Sequence, residues 1–141
     1  MEKILVPVDG SEVSLRAVQY VIKQSQRGRP SGLLLLNVQP PILSGGIKRF
    51  IAEDVIQGYH QEEGNKALAP ACALLDAANV PYTTQMLVGH AAETIVSFAR
   101  AQQCDAVVMG GRGLGSVVGM LLGSTTTKVL GLSELPVTVI K

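Results

Sequence analysis

The apolar positions of the chain switch repeatedly between strand-like runs and helical spacing. Lys3 to Val8 (KILVPV) is a short apolar, β-branched run that ends in Asp9-Gly10-Ser11, turn chemistry followed by a helix cap. From Glu12, Leu15, Val18, Val21 and Ile22 recur at three and four, one helical face, until Gly28 and Pro30 stop the pattern. Leu33 to Val38 (LLLLNV), bounded by Gly32 and Pro40, reads as a strand covered on both faces. Two prolines and two glycines within Pro40 to Gly46 predict a mobile loop. Helical spacing then runs from Ala52 to Ala78. It places Val55, Ile56, Tyr59, Ala67, Leu68, Ala71, Leu74, Leu75 and Ala78 on one face, with Gly58 and Gly64 as points of irregularity and Asn79 before Pro81 as the stop. Pro81 to Val88 and Asp105 to Met109 read as strands, and Ala92 to Gln103 between them as a helix. Ser124 to Leu132 resumes helical spacing, and Val137 to Ile140 reads as a final strand.

Five strands alternating with four helices predict an α/β fold. The crossover lengths imply parallel pairing, so the expected architecture is a doubly wound, Rossmann-like, five-stranded parallel sheet with helices on both faces. With 141 residues, residues 1–141 form one domain. Open sheets of this kind bind ligands where strand order reverses, with the first strand beside the fourth, so Asp9 and the loop after Met109 are expected to share one crevice. The final strand follows only a short helix, and it either closes the sheet or pairs outside it with another subunit.

Composition narrows the choice of partner. Hydrophobic residues make up 47% and charged residues only 16%, against about 25% charged in an ordinary soluble domain, and the apolar surplus points to a subunit interface. Twelve Lys and Arg against eleven Asp and Glu give a net charge of +1. The nearest approach to a basic cluster is Lys23, Arg27 and Arg29, and there is no Trp for base stacking, so a nucleic-acid partner is not expected. Cys72 and Cys104 are far apart with no CxxC, which fits buried thiols in a reducing compartment. Pro7 and Asp9 interrupt what a signal peptide would need, and no run reaches the ~18 apolar residues of a membrane span. The expectation is a cytoplasmic protein without a membrane partner.

Between Gly110 and Gly123 six of fourteen residues are glycine, a density that no strand or helix interior tolerates. Gly110-Gly111-Arg112-Gly113, nine further residues and Gly123-Ser124-Thr125-Thr126 follow a strand and precede a helix. Gly110 and Gly113 can take positive φ and let the backbone approach a ligand; Gly123 leads to a helix N-terminus that attracts anions, with hydroxyls from Ser124, Thr125 and Thr126 beside it. A phosphate fits such a nest without a lysine. Neither GxxxxGK[ST] nor a GxGxxG after the first strand is present, which removes the P-loop NTPase and dinucleotide readings. The bland alternative is a glycine-rich surface turn with a helix cap.

Met109-Gly110-Gly111-Arg112-Gly113 through Gly123-Ser124 resembles the G-2x-G-9x-G-[ST] signature of the ATP-binding universal stress proteins. Ile4 to Ser11 is similar to that family's opening strand and turn, and Leu135 to Val139 to its closing strand, so the resemblance spans the chain. It implies binding of ATP or AMP, with any Mg²⁺ carried in by the phosphates, and a homodimer formed through the last strand. It further implies that Pro7, Val8 and Asp9 line adenine and ribose, that Val38 packs on the base, and that Gly110, Arg112, Gly113, Gly123, Ser124 and Thr125 hold ribose and phosphates, with Met109 and Thr126 in the same site. Two positions depart from the family pattern. Gly111 stands where Ser, Thr or Ala is common, which would loosen the loop, and His90 where a small acidic or amide residue is common. His90 either faces the phosphates or is an exposed turn residue, Asp9 either contacts ligand or caps the first helix, and Arg112 is either a ligand contact or a solvated charge. His60 has no second histidine at metal spacing and is expected on the surface.

From Ala106 to Ser133 the only full charges are Arg112 and Lys128, so the segment supplies no general base. Binding is therefore expected over catalysis, as a dimeric nucleotide-dependent stress-response regulator. The alternatives are a slow ATPase or phosphohydrolase and a ligand-free dimer working through protein contacts. The protein client leaves no signature in the sequence.

Overall fold

A computed structural model describes residues 2–29, 31–42, 52–114 and 119–141. Among them strands and helices alternate as β1 (Glu2–Pro7), α1 (Glu12–Gln26), β2 (Ser31–Gln39), α2 (Glu53–Ala77), β3 (Tyr82–Val88), α3 (Ala91–Ala101), β4 (Ala106–Gly110), α4 (Ser124–Leu132) and β5 (Val137–Ile140). All strand pairs are parallel, in the order β3-β2-β1-β4-β5. The chain winds outward through β2 and β3, then returns to the other side of β1, so the order reverses between β1 and β4. That is the predicted switch point.

The two-residue period of the central strands sorts their side chains between two cores. Ile4, Val6, Leu33 and Leu35 pack with Ala17, Val18 and Val21 of α1 and with Leu68, Ala71 and Leu75 of α2. Leu5, Leu36, Val107 and Met109 point the other way, onto Ala92, Ile95 and Ala99 of α3 and Val129 of α4. Each fully buried Leu or Val contributes roughly 1.5–3 kcal/mol over its exposed state, which explains why β1 and β2 carry apolar residues without the polar alternation of a half-exposed strand. Of the two places open to it, β5 takes the sheet and pairs with β4 from Val107↔Val137 to Gly110↔Ile140.

Several local expectations change. The segment expected as a loop, Pro40 to Gly46, is irregular at Pro40, Pro41 and Ile42, and its remainder lies outside the described residues. Helix α2 runs unbroken through Gly58, Gly64 and even Pro70. Gly64 is an approach point, because a Cβ there would lie 2.6 Å from Met86 Cγ on β3. The buried stripe of α2 is Ile56, His60, Gly64, Leu68, Ala71 and Leu75, while Val55 and Tyr59 face solvent. His60 is thus not on the surface but 4% exposed. Steps of four from Ile56 carry the face through His60 and Gly64, whereas taking Tyr59 as inward rotates it by one residue. Cys104 is buried, and burial pushes its thiol above the ordinary range; Cys72 is only half-buried, and both are free. Among the described residues no helix is long and apolar enough to cross a membrane.

Candidate functional site

At the carboxyl ends of β1 and β4 a cavity of about 340 Å³ opens, within the usual range for small-molecule sites. All twelve residues nominated from the sequence line it: Pro7 at the end of β1 with Val8 and Asp9 after it, Val38 from β2, Met109 and Gly110 from β4, Arg112 and Gly113 from the loop, and Gly123, Ser124, Thr125 and Thr126 at the start of α4. Val8, Leu36, Ile95 and Met109 form an apolar wall with Val38, all but Val38 fully buried. Among the described residues Asp9 and Arg112 are the only charged ones on the lining. Such a cavity takes a flat apolar group on one side and an anion on the other.

Asp9 does not cap α1. The cap is Ser11, whose Oγ accepts from Ser14 N at 3.2 Å, while Ser14 Oγ donates to Ser11 O at 2.9 Å. The Asp9 carboxylate instead joins the two sides of the switch point. Its Oδ1 accepts from Ser11 N at 2.9 Å and its Oδ2 from Leu114 N at 3.0 Å, so a residue of the β1–α1 turn holds Leu114 in the segment after β4. A carboxylate can accept about four hydrogen bonds, which leaves capacity for a ligand hydroxyl.

The glycines serve space more than backbone angle. Neither Gly110 nor Gly113 takes the positive φ expected for it. A Cβ on Gly110 would lie 2.8 Å from Val13 Cγ1 and 3.1 Å from Val13 O, so glycine lets α1 rest against β4. A Cβ on Gly113 would collide with Asp9 Oδ2. Gly111 is held by backbone hydrogen bonds on both sides. Its N–H donates to Ile140 O and its carbonyl accepts from Gly123 N, both at 2.7 Å, and a Cβ would press on Val139 Cγ1 at 3.1 Å.

Helix α4 begins without protection. Gly123 is its N-cap with extended backbone, no side chain among the described residues caps it, and its first turn holds no acidic residue. The N–H groups of Ser124, Thr125 and Thr126 therefore point into the cavity mouth with the positive end of the helix dipole. Thr126 does not add a free hydroxyl donor there. It is buried, and its Oγ1 donates to Gly110 O at 3.0 Å, tying the helix start to the end of β4. The exposed Ser124 and half-buried Thr125 keep theirs.

Arg112 is exposed on the lining and has no ion pair among the described residues. His90 is exposed at the N-cap of α3, makes no capping hydrogen bond, and borders an adjoining cleft that also touches Ser124 and Thr125. Sequence pattern alone does not nominate Asn37. Its side chain, 2% exposed, donates from Nδ2 to Val8 O at 2.8 Å and accepts from Gln39 Nε2 at 2.7 Å, holding the segment that leads into Asp9. One polar residue inside LLLLNV is the visible signal. Ile95 of α3 is missed as well, because a helical core residue carries no mark of facing a cavity. Among the described residues no three His, Cys, Asp or Glu side chains gather as a metal site.

A cavity between β1 and β4, bordered by Arg112, Gly113 and the start of α4, gives this open, doubly wound α/β fold a candidate ligand site at its switch point. The chain belongs to the universal stress protein family, whose family model matches residues 1–141. It is 31% identical over 142 residues to universal stress protein MJ0531 of Methanocaldococcus jannaschii, covering 99% of this chain and 82% of that one. The solved structure of protein MJ0577 superposes with a TM-score of 0.84 at 27% identity, over 99% of this chain and 95% of that one. A universal stress protein family protein of Arabidopsis thaliana, At3g01520, solved with AMP bound, superposes at 0.70 and 20% identity over 100% and 92% of the two chains, a likeness of fold.

Proposed function

We infer that residues 1–141 are a single nucleotide-binding domain that takes an adenine nucleotide, ATP or AMP, in the crevice at the switch point, as in the ATP-binding subgroup of the family. The observation that carries this reading is the pairing of an apolar wall with an uncapped helix N-terminus in one cavity, a match for a base and a phosphate. The twelve residues nominated from the sequence hold the nucleotide, with Val38 and Met109 against the base, Asp9 toward the ribose and Gly123 to Thr125 at the phosphates. AMP in the Arabidopsis family protein supports the same class of ligand. Mg²⁺, where present, is carried in by the phosphates and held by them and by water. The test is to identify nucleotide that co-purifies by mass spectrometry and to titrate AMP by calorimetry; a chain that purifies empty and binds neither AMP nor ATP would contradict it.

The protein acts as a cytoplasmic stress-response regulator and not as an enzyme. Amides and hydroxyls of the loop serve ground state and transition state about equally, so ATP turnover is expected below about one per minute in a phosphate-release assay, far under the usual 1–10³ per second. Turnover near one per second, lost in Gly123→Val, would establish a hydrolase.

Dimerisation runs through β5. Val107 N donates to Pro136 O and Gly111 N to Ile140 O, so the even-numbered residues of this end of the chain bond to β4. In a parallel ladder the odd ones, Val137 and Val139, then present their N–H and C=O outward, where a two-fold mate can pair. The Gly111 bond to Ile140 links that edge to the phosphate loop and supplies the regulator with a path from nucleotide to dimer. Val139→Pro removes an outward donor without touching the β4 ladder and is expected to give monomers in sedimentation; a persisting dimer would place the interface elsewhere.

A further inference from the structure

The cavity continues sideways into a wider cleft of about 740 Å³ bounded by α2, the start of α3 and α4. Asp9, Val38, Ala91, Leu114, Ser124 and Thr125 line both, so Ser124 and Thr125 at the α4 terminus stand on a shared rim. The two spaces differ in chemistry. Beyond the rim the apolar wall gives way to His90, Lys128, Lys66, Glu63 and Glu93. Lys66 is committed to Glu62 and Glu63 at 3.7 and 3.6 Å. Lys128 has no ion pair among the described residues. It follows Ser124 by four positions and so shares its helical face, and helical side chains lean toward the N-terminus, in this case toward the open N–H groups of Ser124 to Thr126.

We propose that this polar cleft is the polyphosphate arm of the nucleotide site and that Lys128 selects nucleoside triphosphate over monophosphate. The proposal rests on the adenine-nucleotide reading above and deepens it. The smaller cavity accommodates the nucleoside, and the rim holds the first phosphate at the α4 terminus. Further phosphates pass over the rim into the cleft. There Lys128 supplies a charge-assisted contact and His90 a ring N–H. Glu93, in the first turn of α3 and without an ion pair among the described residues, opposes them. Selectivity is thus set by one cation and one anion that a monophosphate does not reach.

The experiment is calorimetry of AMP and ATP at one ionic strength on the unmodified chain and on Lys128→Met, Lys128→Arg and Glu93→Gln, both sites being exposed and tolerant of exchange. The unmodified chain is expected to bind ATP more tightly than AMP. Lys128→Met should weaken ATP about tenfold and leave AMP within about twofold, Lys128→Arg should keep the preference, and Glu93→Gln should strengthen ATP alone. An ATP-to-AMP ratio that Lys128→Met leaves unchanged, whether both affinities hold or both fall together, would overturn the proposal while the nucleotide reading stands. Failure of AMP and ATP to bind the unmodified chain would overturn both.

Discussion

At the switch point the β1–α1 and β4–α4 junctions lie side by side, each a strand, a turn and a helix start, and they treat the helix terminus in opposite ways. At α1 the Ser11 hydroxyl accepts from Ser14 N, the Asp9 carboxylate accepts from Ser11 N, and Glu12 sits in the first turn against the dipole. The chain answers that terminus from within. At α4 the cap is Gly123, with no side chain and no acid in the first turn. A glycine cap of this kind forgoes only about a few tenths of a kcal/mol of helix stability and keeps its donors for something outside the chain. Helix starts of equal topology therefore become structural or ligand-binding according to one cap residue, and Asp9 adds a cross-link by which the closed junction positions the open one.

The comparison breaks most completely if that cross-link is cut. Gly113→Val places side-chain atoms where Asp9 Oδ2 lies and severs the Leu114 bond, so nucleotide affinity should fall by about a hundredfold or more while circular dichroism retains the α/β signature. Undiminished affinity in calorimetry would separate the loop from the site. A smaller effect comes from making the open junction resemble the closed one. Gly123 already has the extended backbone of a cap, φ −74°, ψ 164°, so Gly123→Asp installs a capping carboxylate facing the phosphate position; affinity should drop about tenfold at little change in thermal stability. The reverse exchange acts on stability alone. Ser11→Ala should cost about 1 kcal/mol in denaturant unfolding and leave nucleotide affinity unchanged; an equal loss of binding would show that the α1 cap belongs to the site.

Much of this arrangement is legible in the sequence because it is local. The fully apolar LLLLNV run marks a central strand, and Gly123-Ser124 marks a helix start within a residue of where α4 begins. The spacing of Gly110, Gly113 and Gly123 brings the loop to the crevice for the same reason. What sequence hides is contact between elements. The need for glycine at 110 comes from Val13 on α1 and at 113 from Asp9, neither of which neighbours it in the chain. Thr126 reads as a ligand hydroxyl until Gly110 O is seen to use it. His60 reads as a surface residue among polar neighbours, yet the four-residue steps of α2 turn it inward, with Nδ1 left without a partner among the described residues.

The most direct test of the open-junction account is a titration of the isotopically labelled protein with AMP, followed by backbone amide resonances. Ser124, Thr125 and Thr126, with Gly113 and Leu114, are expected to shift most, as their N–H groups meet phosphate or the residues that hold it, whereas Leu15 and Arg16, in the first turns of the capped helix α1 and off the cavity lining, are expected to stay in place. Saturable binding that moves Leu15 and Arg16 while Ser124 to Thr126 remain still would contradict it.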